Sequence, residues 1–158
     1  MNIFVLDEDP IKAAEMHCDK HCVKMILEYA QLMSTAHRVL DGDDAPEQCY
    51  KIAHKNHPST IWTRQSKGNY QWLYSLWSAL CVEYTRRYGK VHLTWKKLGI
   101  TLANIPKNIP INKMTEIPQA MPDYCKKENV VEGYRNYYLN EKKDFAKWKT
   151  EVPYWWTA

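Results

Sequence analysis

The sequence predicts an all-α fold: a compact single-domain helical bundle over residues 1–158, with two long helices, a proline-rich connector and an aromatic C-terminal tail. Apolar residues recur at helical spacing along two long segments, and no segment shows a sustained alternation of apolar and polar residues. A chain of 158 residues is long enough to bury a substantial core within one domain.

The first long helix is expected to run from Pro10 to Leu40. Asp9 is a favourable N-cap, proline is preferred at the first helical position, and Gly42 lies in the turn that ends the helix. Between these ends the apolar residues keep a spacing of three and four, which gives the helix one apolar face. A short helix is expected over residues 47–54.

The second long helix is expected to open in residues 55–60 and to end at Tyr88, before Gly89. Its apolar residues keep helical spacing, and arginines in the last turn followed by glycine form a common helix stop. A third and shorter helix is expected from Thr94 to Ala103.

The remainder of the chain begins with a segment that cannot continue a helix. Residues 105–122 contain four prolines, each preceded by isoleucine or methionine, and the residue before a proline avoids the helical region. We therefore expect an extended connector that lies over the body of the protein. A fourth helix is expected over residues 127–148, and the aromatic tail 152–156 is expected to dock.

Composition narrows the classes of partner. The net charge of +4 suits a nucleic acid or a nucleotide, and seven Trp and eleven Tyr supply rings that pack cores and stack on bases. Five cysteines without a disulfide spacing indicate reduced, buried thiols. No segment resembles a signal peptide or spans a bilayer, so we expect a cytoplasmic protein without a membrane partner.

A polar stripe runs along the first long helix, at steps of four, three, four, three and four residues. At about 100° per residue its members fall within a wedge of roughly 80°, beside the apolar face. Titratable groups at the edge of a core are partly desolvated, as in a catalytic or ligand-binding wall. A solvated helix edge with ordinary ion pairs is the competing interpretation. The stripe consists of His17, His21, Lys24, Glu28, Gln31 and Thr35.

The same helix invites a metal-binding interpretation, because histidines four residues apart can share a zinc ion. Cys18 and Cys22 follow His17 and His21, but the cysteines point about 100° away from the histidines. No Cys-x-x-Cys pair lies elsewhere in the chain. We therefore expect no metal site and no cofactor.

A second set of candidate ligand-binding residues lies further along the chain. Asn56, His57, Ser59 and Arg64 surround a helix start, where free amides can cap the helix or bind a phosphate. His92, beside Lys90, is a candidate for a basic rim along a nucleic-acid backbone, with a solvated surface as the alternative.

Three blocks of this sequence resemble the pyrimidine-dimer DNA glycosylases, which include the endonuclease of T-even phages and small bacterial proteins. The first block is residues 19–32, with Lys24 and Glu28 at the spacings of the bacterial branch. The second runs from Asn56 to Trp62, and the third is residues 116–119. A variant of the pattern is similar to proteins of phage genomes, which is compatible with a viral origin and, in that case, with the cytoplasm of the host cell.

The resemblance implies a helical domain that bends DNA and flips a nucleotide out of the stack. It implies an amine at the chain start that attacks the sugar C1′ carbon, loss of the base through an imine, and strand cleavage by elimination. Glu28 matches the glutamate that assists this chemistry. The phage enzyme presents a threonine amine, whereas residue 2 here is asparagine. The amine is therefore expected from Met1 or Asn2, with Lys24 as the fallback.

Two functions remain open from the sequence. The first is an enzyme of DNA repair: a pyrimidine-lesion N-glycosylase that also cleaves abasic sites. The second is a phage protein without catalytic activity that binds a free nucleotide, an immune signal of the host, and so acts against host defence. A helical module that contacts a partner protein has no positive support. The sequence does not fix the oligomeric state, a homo-oligomer included.

Overall fold

The two long segments with apolar residues at helical spacing form the two longest helices of the structure. The structure is a computed structural model, and it describes residues 2–157. Over these residues it contains no strand, and one isolated parallel bridge joins Ser66 to Ile111. The all-α prediction is confirmed. The helices are α1 (Pro10–Met16), α2 (Asp19–Asp41), α3 (Pro58–Thr63), α4 (Lys67–Tyr88), α5 (Leu93–Leu102) and α6 (Val130–Glu141), with 3₁₀ turns at Gly42–Asp44 and Asp123–Cys125.

The prediction of one continuous first helix is wrong at His17 and Cys18. Both residues have extended backbone conformations, so α1 ends and α2 begins there. Arg87 supplies the physical reason, because its guanidinium donates hydrogen bonds to the carbonyl oxygens of Glu15 (2.9 Å) and His17 (2.8 Å). A distant side chain thus satisfies carbonyls that a continuous helix would have used.

The second long helix is also divided. Its predicted opening forms the separate helix α3, and α4 starts afresh after Ser66, whose hydroxyl accepts a hydrogen bond from the backbone N–H of Asn69 (3.0 Å). This side-chain cap and the bridge to Ile111 end the helical path between α3 and α4. The predicted end at Tyr88 is confirmed, with Gly89 in the left-handed conformation that favours glycine.

The predicted short helix over residues 47–54 is absent. The segment is irregular because Arg38 donates hydrogen bonds to the carbonyl oxygens of Glu47, Cys49 and Tyr50. The predicted third helix is confirmed as α5 to within one residue at each end.

The C-terminal third follows the prediction in order but not in length. Residues 105–122 are free of helix, and Ile109 and Ile117 anchor this connector in the core. The fourth helix is shorter than predicted, because Asn129 caps the start of α6 and the chain turns after Glu141. The tail docks as expected: the indole N–H of Trp155 donates to the sulfur of Met16 (3.3 Å).

A buried ion network fixes the junction between α1, α2 and α4. Nε of Arg87 donates to Glu83 (2.8 Å), and Nη1 of Arg87 donates to Asp19 (3.1 Å). Burial alone would raise the pKa of Glu83, but hydrogen bonds from Arg86 and Arg87 outweigh it, and the pKa is lowered. The charged form of Glu83 is therefore stabilised in the folded protein.

The five cysteines are buried, and none forms a disulfide. Burial raises the pKa of each thiol, to about 12 in the case of Cys22. Within residues 2–157, no helix combines the length and the apolar character needed to cross a membrane.

Candidate functional site

A small polar cavity opens between the N-terminal segment, α2 and the end of α6. Its volume is about 180 Å³. Ile3 to Leu6 are buried, which fixes the N-terminal segment against the helices. The residues that line this space, called the polar cavity below, are Asn2, Phe4, His21, Lys24, Met25, Glu28 and Lys142.

Helix α2 brings three predicted site residues together here. His21, Lys24 and Glu28 follow one another at steps of three and four, so they share one face. Nζ of Lys24 lies 3.7 Å from Oε2 of Glu28. The Lys24 side chain is 62% exposed and the Glu28 side chain 17%, so the carboxylate sits inside the mouth and the ammonium outside it.

His21 forms a neutral wall of the polar cavity. Its ring stacks on Phe4 at a centroid distance of 4.2 Å, and its Nδ1 lies 2.6 Å from the hydroxyl oxygen of Tyr138. Burial, followed by the positive charge of neighbouring groups, lowers the pKa of His21 to about 2. The imidazole is therefore uncharged at neutral pH and can exchange hydrogen bonds but cannot attract an anion by charge.

Two lysines line the polar cavity, and the charge of a third acts on its wall. Lys24 and Lys142 belong to the lining, and the charge of Lys20 acts on the ring of His21 as theirs do. Lys20 lies over the ring of Phe145 (4.3 Å to the centroid), and Lys142 lies over the ring of a neighbouring tyrosine (4.7 Å). These contacts hold the flexible stems in place, so the rim presents fixed positive charge.

Lys142 was not identified from the sequence. It is the C-cap of α6, whereas the helix predicted over residues 127–148 continues past it. Its only sequence signal is a cation near the end of a helix, which many surface lysines share.

His17, the first residue of the predicted stripe, lies in the core and not on the cavity wall. Its side chain is fully buried, with Nδ1 2.7 Å from the carbonyl oxygen of Ala13 and Nε2 2.7 Å from the hydroxyl of Tyr29. Burial lowers its pKa to about 4. Tyr29 in turn accepts a hydrogen bond from the backbone N–H of Phe4 (3.1 Å). His17 thus supports the N-terminal segment from below.

The far end of the stripe does not reach the polar cavity either. Gln31 is half-buried on α2, one turn beyond Glu28. Thr35 is fully buried, and its hydroxyl accepts a hydrogen bond from the backbone N–H of Ala53 (3.0 Å). In this structure Thr35 therefore fixes the loop before α3.

The residues around α3 cap that helix. Nδ1 of His57 accepts the hydrogen bond of the Ser59 backbone N–H (3.1 Å), and burial lowers the pKa of His57. Ser59 is fully buried, Asn56 is exposed, and Nη1 of Arg64 donates to the carbonyl oxygen of Lys55 (2.9 Å). None of these residues lines the polar cavity.

His92 has the corresponding role at α5. Its Nδ1 accepts a hydrogen bond from the backbone N–H of Thr94 (3.1 Å), and its ring packs edge-on against Tyr84 at 4.9 Å. Burial lowers the pKa of His92. His92 therefore caps α5 in this structure and lies outside the lining of the polar cavity.

Groups of three or more histidine, cysteine or carboxylate side chains that could hold a metal ion do not occur in the part of the chain that the structure describes. Met1, one of the predicted sources of an amine, lies outside the described residues, whereas Asn2 lines the polar cavity.

Fold and site together define a small helical protein with a shielded carboxylate in a cavity lined by two lysines. The sequence model of the pyrimidine dimer DNA glycosylase family matches residues 1–97. The chain belongs to this family, as the first two of its sequence blocks predicted, and the family implies DNA as the substrate. The third block, residues 116–119, lies outside the matched range. No curated protein and no solved structure matches the chain.

Proposed function

We propose that this protein removes a damaged pyrimidine base from DNA and then cuts the strand at the abasic site, through an amine at the polar cavity. One observation carries the proposal: in a chain of the pyrimidine dimer DNA glycosylase family, Asn2, Lys24 and Glu28 line the same cavity. An amine beside a carboxylate is the pair that imine chemistry requires.

The proposed reaction has two stages. The amine adds to the sugar C1′ carbon as the N-glycosidic bond breaks, and the base leaves with the electron pair of that bond and takes up a proton. The sugar ring then opens: the C1′–O4′ bond breaks, O4′ takes up a proton, and the nitrogen loses one to give the imine. The imine allows loss of a C2′ proton and cleavage of the C3′–O bond, with the 3′-phosphate as the leaving group, and water hydrolyses the imine to release the protein. Glu28 stabilises the positive charge that develops at the sugar and carries protons between these steps.

The amine has two candidate positions, the chain start at Met1 or Asn2 and the side chain of Lys24. An α-amino group usually has a pKa of about 7.7–8.0, against about 10.4 for a lysine, so more of it is deprotonated at neutral pH. Lys24 lies at the mouth, with most of its side chain in solvent. This difference favours the chain start as nucleophile and Lys24 as a phosphate contact.

The size of the polar cavity favours DNA over a sequestered free nucleotide. Sites that enclose a small molecule usually measure about 300–1,000 Å³, whereas this cavity measures about 180 Å³. A reaction at one sugar needs only that sugar and its base to approach the cavity. The flanking phosphates remain outside, where Lys20, Lys24 and Lys142 lie.

Borohydride trapping tests the proposal. A duplex with a single pyrimidine dimer and a duplex with an abasic site are each incubated with the protein and sodium borohydride. We expect a covalent protein–DNA adduct from both, and peptide mass analysis assigns it to residues 1–2 or to Lys24. Failure to trap either substrate contradicts the amine mechanism.

Salt dependence separates the two functions. Contacts with several DNA phosphates make the affinity fall steeply as salt rises, with a slope near 0.9 per phosphate contact. Binding of one free nucleotide weakens only mildly. A shallow slope for duplex DNA together with tight, intact retention of a nucleotide favours the sequestering protein.

A further inference from the structure

An apolar cleft of about 560 Å³ lies beside the polar cavity, separated from it by the N-terminal segment. Phe4 lines the polar cavity, and the next residue, Val5, lines the cleft. A volume of this size is typical of sites that bind small molecules. The apolar cleft is lined by Val5, Glu8, Trp72, Met114, Thr115, Glu116, Ile117, Val130 and Val131.

Two exposed carboxylates stand on this apolar lining. Glu8 and Glu116 are exposed, and neither side chain takes part in an ion pair or a hydrogen bond with another described residue. The nearby acidic groups are different: Asp7 pairs with Arg135 (3.2 Å), and Asp123 pairs with a lysine (3.0 Å). No lysine, arginine or histidine lines the cleft.

Trp72 gives the lining an aromatic surface. Its indole N–H already donates to the carbonyl oxygen of Glu8 (3.2 Å), so the ring has no donor left for a ligand. What it offers is an apolar face and an attraction for cations. Carboxylates, an indole and aliphatic side chains together repel anions and favour a ligand with ammonium groups on a methylene chain.

We propose that the apolar cleft binds an aliphatic diamine or polyamine. The methylene chain lies along Val5, Trp72 and Ile117, where it loses contact with water, and the ammonium groups face Glu8 and Glu116. This site is distinct from the polar cavity, and it does not depend on whether that cavity performs the proposed chemistry.

Calorimetric titration with matched probes tests the charge requirement. Spermidine and 1,4-diaminobutane are compared with butylamine, which has one ammonium, and with 1,4-butanediol, which has none. We expect saturable one-to-one binding of both polyamines, binding of butylamine that is about fivefold weaker than that of diaminobutane, and no binding of the diol. Binding of the diol as tightly as the diamine, or no binding of any probe, overturns the proposal.

A pair of double variants tests the location. The double variant Glu8→Gln with Glu116→Gln is expected to bind diaminobutane about tenfold more weakly. The control, Glu47→Gln with Glu128→Gln, removes two exposed carboxylates that do not line the cleft, and it is expected to bind as the parent does. Equal losses in both double variants mean diffuse charge attraction and overturn the site. Borohydride trapping by the same variants reports separately on the polar cavity.

Discussion

The polar cavity and the apolar cleft share one buried segment, yet they carry opposite charges. Lys24 and Lys142 line the cavity and the charge of Lys20 acts on its wall, whereas two carboxylates that pair with no other described residue stand on the cleft. The net charge of +4 describes neither surface. A modest total can therefore conceal a site for a polyanion next to a site for a cation, and only the fold shows how the charges are separated.

The largest expected effect is on catalysis at the polar cavity. Glu28→Gln keeps the shape of the side chain but removes its charge, so it can no longer stabilise a cation or accept a proton. We expect base release from a dimer-containing duplex to fall about a hundredfold or more. Gel assays of strand cleavage measure this. Glu47→Gln is the control, and unchanged cleavage by Glu28→Gln contradicts the role of Glu28.

The second effect concerns the ion network at the junction of α1, α2 and α4. Arg87→Met leaves the carbonyl oxygens of Glu15 and His17 without their donor and leaves Arg86 as the one arginine bound to Glu83, so we expect a loss of about 3–5 kcal/mol in the free energy of unfolding. Urea denaturation measures it. Arg86→Met removes the more exposed partner of Glu83 and is expected to cost about 1 kcal/mol or less. Equal losses of stability in the two variants would contradict the larger role assigned to Arg87.

The third effect is a pH dependence of the free energy of unfolding, which we attribute to the buried histidines His17 and His21 near the polar cavity. Burial holds the pKa of His17 at about 4 and that of His21 at about 2, both below the 6.5 of the unfolded chain. Below pH 6.5 the unfolded chain binds protons that the folded protein does not, so stability is complete above that pH and is lost as the pH falls. We expect a loss of about 2 kcal/mol per histidine at pH 5.

Urea denaturation at pH 7.5, 6 and 5 measures this loss. The variant His17→Gln is expected to show a smaller difference between pH 7.5 and pH 5 than the parent, because one of the three buried imidazoles with a lowered pKa is gone. His54→Gln, which replaces an exposed histidine, is the control and keeps the slope of the parent. Parallel slopes in all three proteins would contradict the assignment.

The smallest expected effect is on the salt dependence of DNA binding, and it compares the lysines near the polar cavity with the carboxylates of the apolar cleft. Removing Lys20 and Lys142 together, each as Gln, is expected to lower the slope of log affinity for DNA against log salt by about one per lysine. Glu8→Gln with Glu116→Gln should leave that slope unchanged, since those carboxylates lie on the cleft. Fluorescence anisotropy with a duplex at several salt concentrations measures both. A larger change in the cleft variant would reverse the assignment of the two surfaces.

The common face of His21, Lys24 and Glu28 could be predicted because spacing inside an uninterrupted helix fixes direction. The same rule fails for His17, because Arg87, seventy residues away in sequence, ends α1 and starts α2. Side-chain hydrogen bonds of this range leave no trace in local periodicity. The all-α class survives such breaks because the periodicity on either side of them is helical.

Lys142 and the apolar cleft show a second limit. Both depend on segments that are distant in sequence, such as the connector near Glu116 and the end of α6. The prolines predict that the connector is extended. They do not predict that it would complete the lining of the apolar cleft. Pairing of remote segments follows from packing of the whole core, so a site built between them cannot be found from one segment alone.

The buried thiols of this protein can report local unfolding, because each thiol becomes reactive only when its surroundings open to solvent. All five cysteines lie inside with raised pKa values, so the native fold should be silent toward alkylating reagents. Each modified sulfur then records one excursion of its own neighbourhood into solvent. Cys18 lies in the α1–α2 junction and Cys22 in the first turn of α2, whereas Cys125 lies near the start of α6. Labelling rates would therefore order these regions by how often they unfold.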